Sequence, residues 1–364
     1  MTFCPALELL SQLQSSCERA ALLARVCRQA QAFQDVVEEK DSVVKNEKTL
    51  QDFKTVADVM VQAMIQREIG TKYPAVAAHV LGEENAHFTA ADGSRLELAV
   101  LPTERETAAL LSLAMGGAGA MARQMAAVVH GPPPDVTPVS AEQAELLSQL
   151  SLPVDDLGVW IDPIDCTSEY VRGAAPAAGD VTADVATRGL PAVTVLVGVF
   201  QRSTGRPVLG VVTQPFARQD GHSWVSAQYW GVSWDGRRAS NVPARAAADP
   251  VIMTSSSERS DVTAALQAAG LRPVPASGAG YKLLQVALGS AAGFVVSLSS
   301  TFLWDTCGPD ALLRSLGGSL TFTDGSAIRY DRSGDSRNTG CLVATLDDDV
   351  RQRVLDALGH CGNV

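Results

Sequence analysis

The stretch Trp160–Tyr170, WIDPIDCTSEY, places two aspartates three residues apart around a proline, directly after an apolar run. Pro163 fixes its own φ and biases the residue before it towards extended backbone. Asp162 can therefore end a strand while the carbonyl of Ile164 and the carboxylate of Asp165 turn back to the same point. Two like charges so close together are unfavourable unless a cation lies between them. The stretch predicts a metal site at a strand end or, since Asp-Pro is common turn chemistry, a structural turn.

Acids occur at two further places where the chain leaves a strand or enters a helix. Glu83 and Glu84 follow a short apolar stretch in LGEEN, and Asp305 stands in FLWDTCGPDALLRSLGG. Taken alone, the glutamates predict a solvated pair, and Asp305 predicts the N-cap of a helix with Pro309 in its first turn. Together, five acids at three such points could build a two-metal site. Mg²⁺ suits such a site, because it takes few carboxylates and keeps positions for water and phosphate oxygens.

The composition limits the class of protein. The chain has 364 residues, of which 46% are hydrophobic and 19% charged, so it can bury a large core in two lobes. Its net charge of −11 argues against nucleic acid or an anionic membrane as the main partner. No stretch has the length of a membrane span, and the N-terminus lacks a signal-peptide pattern. We expect a monomer whose partner is a small molecule.

The cysteines and histidines exclude several kinds of site. Seven cysteines are scattered without a C-x-x-C pair, which indicates a reducing cytoplasmic location rather than a disulfide framework or a zinc ribbon. The five histidines also lack metal-ligand spacing. Any metal is therefore expected to be a hard ion held by oxygen.

The first part of the chain reads mainly as helices. Apolar residues at helical spacing predict one helix over residues 5 to about 40 and another over residues 55 to 67. AHVLGEEN predicts a short strand and a turn. Residues 103 to 130 predict helix with a break at Gly116-Gly117, and GPPPDVTP, at 131 to 138, predicts an exposed connector.

The remaining chain is richer in strands. LGVWID leads into the opening stretch, and PAVTVLVGVF and VLGVVTQPF flank a hairpin turn. HSWVSAQYWGVSW continues as strand, and residues 235 to 250 are the predicted boundary between lobes 1–245 and 246–364. Beyond it, strands and helices alternate, which indicates a smaller α/β lobe.

Three motifs occur together and in order: the paired acids GEE, the W-I-D-P-I-D-x-T stretch, and a WD at a helix start followed by GG. With them the chain resembles the magnesium-dependent, lithium-sensitive phosphatases related to inositol monophosphatase. Cys166, where most relatives have glycine, and the segments FKTVADV, GVVTQPF, GAGYK and WDTCGPDALLR resemble the branch that acts on inositol polyphosphates. The resemblance runs from about residue 20 to the C-terminus. It implies an α/β fold, a layered αβαβα sandwich of the sugar-phosphatase type.

The resemblance also implies a role for each matching residue. Two or three Mg²⁺ ions would be held by Glu83, Glu84, Asp162, the carbonyl of Ile164, Asp165, Asp305 and Asp58. The residues implied in catalysis are Asp58, Thr167 and Glu84, with Thr167 hydrogen-bonded to Asp58 and orienting the attacking water. Substrate contacts would come from Asp165, Cys166, Thr167, Ser256, Gly278, Ala279 and Lys282.

The implied reaction removes the 1-phosphate from inositol 1,4-bisphosphate and inositol 1,3,4-trisphosphate. One ion activates a water that attacks phosphorus in line, a second ion clamps the leaving oxygen, and no phosphoenzyme forms. Cys166 is therefore not expected to be a nucleophile. Li⁺ is expected to inhibit.

Several alternatives stay open at this point. Arg259 competes with Ser256, Lys282 could be an exposed helix lysine, and Asp58 could lie on the outer face of its helix. Leu298 stands where relatives often have an acid that binds inositol hydroxyls, a change expected to weaken ring specificity more than catalysis. A 3'(2'),5'-bisphosphate nucleotidase of the same chemistry is one competing function. A non-catalytic relative that binds a phosphorylated ligand is another, disfavoured because carboxylates that serve no metal repel one another.

Overall fold

Two helices form the first layer of the molecule. The computed structural model describes residues 2–29, 37–39, 53–90, 93–182, 185–243, 250–331 and 334–359. Within them, helix α1 covers Ala6–Gln29 and α2 covers Val56–Lys72, and the two helices contact each other. Helix α2 confirms the second predicted helix. It begins after Thr55, whose side chain and that of Asp58 form a capping box.

The first predicted helix is shorter than expected. Helix α1 ends at Gln29, and strand β2 (Val37–Glu39) pairs antiparallel with β3 (Phe53–Thr55). The prediction of helix to residue 40 is therefore wrong at 37–39, because pairing with a strand distant in sequence decides that segment. The rest of that stretch lies outside the described residues.

A six-stranded sheet forms the second layer. It contains β4 (Val80–Gly82), β8 (Leu157–Asp165), β11 (Thr194–Gln201), β12 (Arg206–Asp220), β13 (Ser223–Trp234) and β14 (Arg237–Ser240), in the order β14-β13-β12-β11-β8-β4. Strands β4 and β8 run parallel, and the other neighbours run antiparallel. Every residue of β8 is buried, because helices cover both faces of the sheet. The predicted hairpin of β11 and β12 is confirmed.

The expected lobe boundary begins inside this sheet. Strand β14 lies within the stretch 235–250 and pairs with β13. Asp235 and Gly236, both with positive φ, form the tight turn between them. Residues 244–249 lie outside the described part of the chain, so the division near residue 245 stays a prediction.

Helices α8 (Ala279–Ala287) and α9 (Leu303–Ser315) form the third layer. Helix α9 lies directly on β11 and β12, which glycines make possible: a Cβ on Gly210 would lie 2.9 Å from the carbonyl carbon of Gly308 and closer still to its oxygen. Helix α9 also begins earlier than predicted. Pro309 is therefore in the middle of the helix and not in its first turn, because the amide of Phe302 donates to the Asp305 carboxylate and caps the helix there.

A five-stranded sheet and two outer helices complete the layers. The sheet contains β15 (Val251–Thr254), β16 (Arg272–Pro275), β17 (Gly293–Val296), β18 (Ser319–Phe322) and β19 (Leu342–Thr345), in the order β16-β15-β17-β19-β18. Helices α7 (Ser260–Ala268) and α10 (Asp348–Leu358) cover its outer face over an apolar core. The order helix, sheet, helix, sheet, helix confirms the predicted layered α/β fold.

The remaining elements lie around these layers. Helices α3 (Glu104–Ala114) and α4 (Gly119–His130) confirm the predicted break between them, and α5 (Ala141–Gln149) follows the connector. The short elements are β1 (Phe3–Pro5), β5 (His87–Thr89), β6 (Arg95–Glu97), β7 (Ser151–Pro153), α6 (Thr167–Arg172), β9 (Val181–Thr182) and β10 (Val185–Ala186). Within the described ranges, no helix has the length and apolarity that crossing a bilayer requires.

Candidate metal centre

Three aspartates from two elements come together at one end of the six-stranded sheet. Asp162 and Asp165 lie at the end of β8, and Asp305 lies in the first turn of α9. All three side chains are buried, and each offers a carboxylate oxygen within 4.8 Å of the others. Helix α9 and strand β8 therefore bring together acids that are about 140 residues apart in sequence.

A bulge in β8 turns both of its aspartates to the same place. Residues three apart in a regular strand point to opposite faces of the sheet. Here Asp165 pairs with Thr194 and Asp162 with Leu196, so three steps along β8 match two along β11. The extra residue around Pro163 brings Asp165 to the side of Asp162. We expected the strand to end at Asp162, but it runs on to Asp165 because pairing with β11 resumes there.

The electrostatics of the three aspartates favour a bound cation. Burial, with the charges of Glu83, Asp165 and Asp305, raises the pKa of Asp162 well above its ordinary value. Burial and the charges of Asp165 and Glu83 likewise raise the pKa of Asp305. Asp162 Oδ1 is buried and has no hydrogen-bond partner in the described part of the chain. A divalent cation held by oxygen fits this donor set, because it would neutralise the carboxylates and satisfy that oxygen.

Asp165 is held in place through one of its oxygens. Its Oδ2 accepts hydrogen bonds from the Thr194 hydroxyl at 3.0 Å and from the Gly280 amide, in the first turn of α8, at 2.8 Å. Burial raises the pKa of Asp165, and these two hydrogen bonds oppose that rise. Gly278 precedes α8 with a φ of 73°, and a Cβ there would lie 2.8 Å from the Ala192 carbonyl oxygen. Glycine is thus required where the chain passes Asp165.

Cys166 and Thr167 follow directly on the bulge. Cys166 has a left-handed φ of 69°, which glycine adopts at less cost. Burial, then the charges of Asp165 and Glu169, raise the pKa of its thiol, so no thiolate nucleophile forms near neutral pH. The Thr167 hydroxyl donates to the Ile164 carbonyl at 3.1 Å. The expected bond from Thr167 to Asp58 is therefore not formed.

Asp58 and the two glutamates occupy different environments. Asp58 is fully buried and accepts hydrogen bonds from the Thr55 amide, at 2.9 Å, and from the Thr55 hydroxyl, so it does not lie on an outer helix face. Glu84 is also buried, and the Gln62 side chain bonds both its backbone amide and its carbonyl. Glu83 lines the cavity beside Asp162, whereas Asp58 and Glu84 are not among its described lining residues.

The cavity beside the acids has a volume of about 330 Å³. Its lining includes every predicted substrate residue: Asp165, Cys166, Thr167, Ser256, Gly278, Ala279 and Lys282. Lys282 is buried, not exposed, and burial lowers its pKa while the charge of Asp165 opposes that change. Arg259 forms an ion pair with Asp261 at 2.5 Å, and neither it nor Leu298 is among the described lining residues. Of the two competing positions, Ser256 is therefore the one at the cavity.

The structure adds residues that the sequence analysis missed. Phe302 and Trp304 line the cavity with stacked rings, 4.6 Å between centroids. The buried Asn338 donates through Nδ2 to the Phe302 carbonyl at 3.0 Å and to the Thr301 and Thr306 hydroxyls, and so fixes the chain that enters α9. Aromatic residues beside the WD motif were a visible signal, whereas nothing in the local sequence marks Asn338.

Comparison with known proteins identifies the family. A model of the inositol monophosphatase family matches residues 120–359. Inositol polyphosphate 1-phosphatase of Bos taurus is 37% identical over 86% of this chain and 82% of its own length, and that of Homo sapiens is 36% identical over the same shares. The 3'(2'),5'-bisphosphate nucleotidase 1 of Rattus norvegicus is 30% identical over 53% of this chain and 58% of its own.

Solved structures support the same fold. The extragenic suppressor protein suhB from Bartonella henselae aligns with a TM-score of 0.56 at 14% identity, over 97% of this chain and 99% of its own. The IMPase of Thermotoga maritima aligns with a TM-score of 0.53 at 15% identity, over 98% and 100%. The resemblance stated from the sequence motifs is confirmed by the family match and by the relatives. The chain, with its carboxylates gathered at those motifs, thus belongs to the inositol monophosphatase family.

Proposed function

We propose that this protein is a magnesium-dependent phosphomonoesterase that removes the 1-phosphate from inositol 1,4-bisphosphate and inositol 1,3,4-trisphosphate. One observation carries the proposal: three buried carboxylates border a cavity that Lys282 also lines, and one oxygen of Asp162 has no hydrogen-bond partner among the described residues. Such a site combines a place for divalent ions with a place for an anionic substrate. The polyphosphate phosphatase relatives supply the substrate class.

The carboxylates would hold the metal ions. Glu83, Asp162, Asp165 and Asp305, with the Ile164 carbonyl, are the proposed ligands of two Mg²⁺ ions, and Asp58 and Glu84 would stand beside a third. When bound, the ions lower the pKa of a water and neutralise charge on the phosphoryl oxygens. Li⁺ is the proposed inhibitor.

The chain's own residues would orient water and substrate. The Thr167 hydroxyl donates a hydrogen bond to the Ile164 carbonyl, so the lone pairs of the hydroxyl oxygen can accept a hydrogen bond from water. The backbone amides of Cys166 and Thr167 are the proposed donors to the phosphate that leaves. Lys282 would attract a second phosphate, with Ser256, Gly278 and Ala279 around the ring.

A second substrate, 3'-phosphoadenosine 5'-phosphate, is favoured by one observation. Phe302 and Trp304 present stacked rings at the cavity. Aromatic rings bind nucleobases by stacking, typically with about 1–3 kcal/mol per base. The nucleotidase relatives match a smaller share of the chain, so we propose this substrate as the second candidate.

Phosphate release distinguishes these candidates. We would measure it from inositol 1,4-bisphosphate and from 3'-phosphoadenosine 5'-phosphate, with Mg²⁺ and then with millimolar Li⁺ added. We expect faster, Li⁺-sensitive release from the inositol. Preference for the nucleotide would reassign the substrate, and no release from either would favour a binding role. Asp162→Asn is the control, since turnover retained in that variant would contradict the metal mechanism.

We also propose a monomer in a reducing, cytoplasmic environment. All six cysteines within the described ranges are free, and the exposed large apolar residues there are far apart in sequence: Phe3, Leu81, Leu113, Val181 and Leu346. Thiol titration of the protein unfolded without reductant should find seven free thiols. Light scattering after gel filtration should give the mass of one chain.

A further inference from the structure

A second cleft lies at the far end of α9 from the acid cluster. Its volume is about 690 Å³, and three arginines line it: Arg206 at the start of β12, Arg238 in β14 and Arg314 in the last turn of α9. Asp235 is the one acid among the described lining residues. This excess of positive charge stands out on a chain whose net charge is −11.

The cleft is separate from the catalytic cavity. The two share no lining residue among those that the structure describes. Gln201, at the cleft, and Thr194, beside Asp165, are the two ends of β11, roughly 23 Å apart at 3.3 Å per residue. Asp305 and Arg314 are likewise separated by roughly 14 Å along α9.

Arg314 is built into the cleft wall. Its Nε donates to Asp310 Oδ1 at 2.8 Å, and Asp310, fully buried, also accepts from the Tyr330 hydroxyl at 3.2 Å. The Arg314 side chain is only 22% exposed. The bond to Asp310 uses Nε, and the two Nη groups form no hydrogen bond among the described residues, so they can bind a ligand in the cleft.

Among the described lining residues, only Asp235 opposes the positive charges of Arg206 and Arg238. Both are exposed, and neither forms an ion pair with an acid in the ranges that the structure covers. Arg238 approaches the C-terminal end of α9, where a Cβ on Gly317 would lie 3.1 Å from its Nη1. The three guanidinium groups therefore line one cleft, and Arg206 and Arg238, the two without an ion pair in the described ranges, favour an anion there.

We propose that this cleft is a second binding site, for a phosphate-bearing small molecule. Guanidinium groups match phosphate oxygens with paired hydrogen bonds, and three of them suit a ligand with more than one phosphoryl charge. The rigid Arg314 would anchor the ligand, and the two exposed arginines would close around it.

The test measures pyrophosphate binding to the full-length protein in EDTA by calorimetry. Without metal, the carboxylates of the catalytic cavity repel anions, so binding there is suppressed. We expect one site in the wild type and at least tenfold weaker binding in Arg206→Ala/Arg238→Ala. Arg237→Ala is the matched control, because Arg237 is also exposed on β14 but bonds Gln149 and does not line the cleft.

Each result decides the proposal. Equal binding by the double variant and the wild type, or no binding by either, would overturn it. If neither protein binds pyrophosphate, the arginines would only interact with the negative, C-terminal end of the α9 dipole. Lys282→Gln should leave pyrophosphate binding unchanged, and loss of binding in that variant would place the ligand in the catalytic cavity instead.

Discussion

Replacing Gly210 by alanine tests whether the packing of α9 on the sheet positions the metal centre. The new Cβ would lie 2.9 Å from the Gly308 carbonyl carbon, 3.0 Å from Ala311 Cβ, and closer still to the Gly308 oxygen. These neighbours are the helix backbone at Gly308 and the Cβ of Ala311, and neither has a rotamer that could change to relieve the clash. Helix α9 must move outward by roughly 1 Å to restore ordinary contact distances.

The expected cost has two parts. Overpacking of this kind typically lowers the free energy of unfolding by about 1–3 kcal/mol. The displaced helix also carries Asp305, one turn before Gly308. Mg²⁺ ligation requires distances near 2.0–2.1 Å, and a misplacement of about 1 Å can reduce turnover about 100-fold. We therefore expect weaker Mg²⁺ binding together with lower stability.

The assay combines urea unfolding with the Mg²⁺ dependence of phosphate release. Gly119→Ala is the matched control, because the nearest atom to its new Cβ is Arg123 Nη1 at 3.4 Å and the residue begins a helix. That variant should be as stable as the wild type, or slightly more so. Wild-type stability and activity in Gly210→Ala would refute the close contact between α9 and β12.

Three further predictions concern the site itself. Cys166→Gly should retain activity and raise the free energy of unfolding by up to about 1 kcal/mol, because it relieves a left-handed φ; loss of turnover would show that the thiol is needed. Asp162 and Asp305 have raised pKa values in the folded protein, so their protonation stabilises the metal-free fold at low pH. This stabilisation is complete below their ordinary pKa of 3.8 and is lost as the pH rises through their pKa values in the folded protein. The midpoint of thermal unfolding in EDTA should thus be lower at pH 8 than at pH 5, a difference that Mg²⁺ and Asp162→Asn both reduce; a midpoint that is no lower at pH 8 would contradict the pKa assignment. Lys282→Gln should raise KM for inositol 1,4-bisphosphate about 10- to 100-fold with little change in kcat. A fall in kcat of that size with KM unchanged would show that Lys282 does not bind the substrate in its ground state.

Some features of the molecule can be predicted from local sequence because local physics decides them. Helical periodicity located α2, α3 and α4, and alternation with turn residues located the hairpin of β11 and β12. The acids were also recognisable in WIDPIDCTSEY and FLWD, since proline, charge and motif order are all visible in the chain. Strand β2 was missed because its partner, β3, comes from a different part of the sequence.

The sequence by itself determined which acids were candidates for the metal centre, and its motifs carried the resemblance that implied the layered fold. The tertiary structure decided how those acids meet: a bulge against β11 turns Asp165 to the side of Asp162, and glycine contacts seat α9 so that Asp305 completes the cluster. It also decided that Lys282 is buried at the cavity and that Thr167 bonds to Ile164 instead of Asp58. The physical reason is that burial, desolvation and hydrogen bonding depend on contacts between distant segments, which residue identity and spacing do not encode locally.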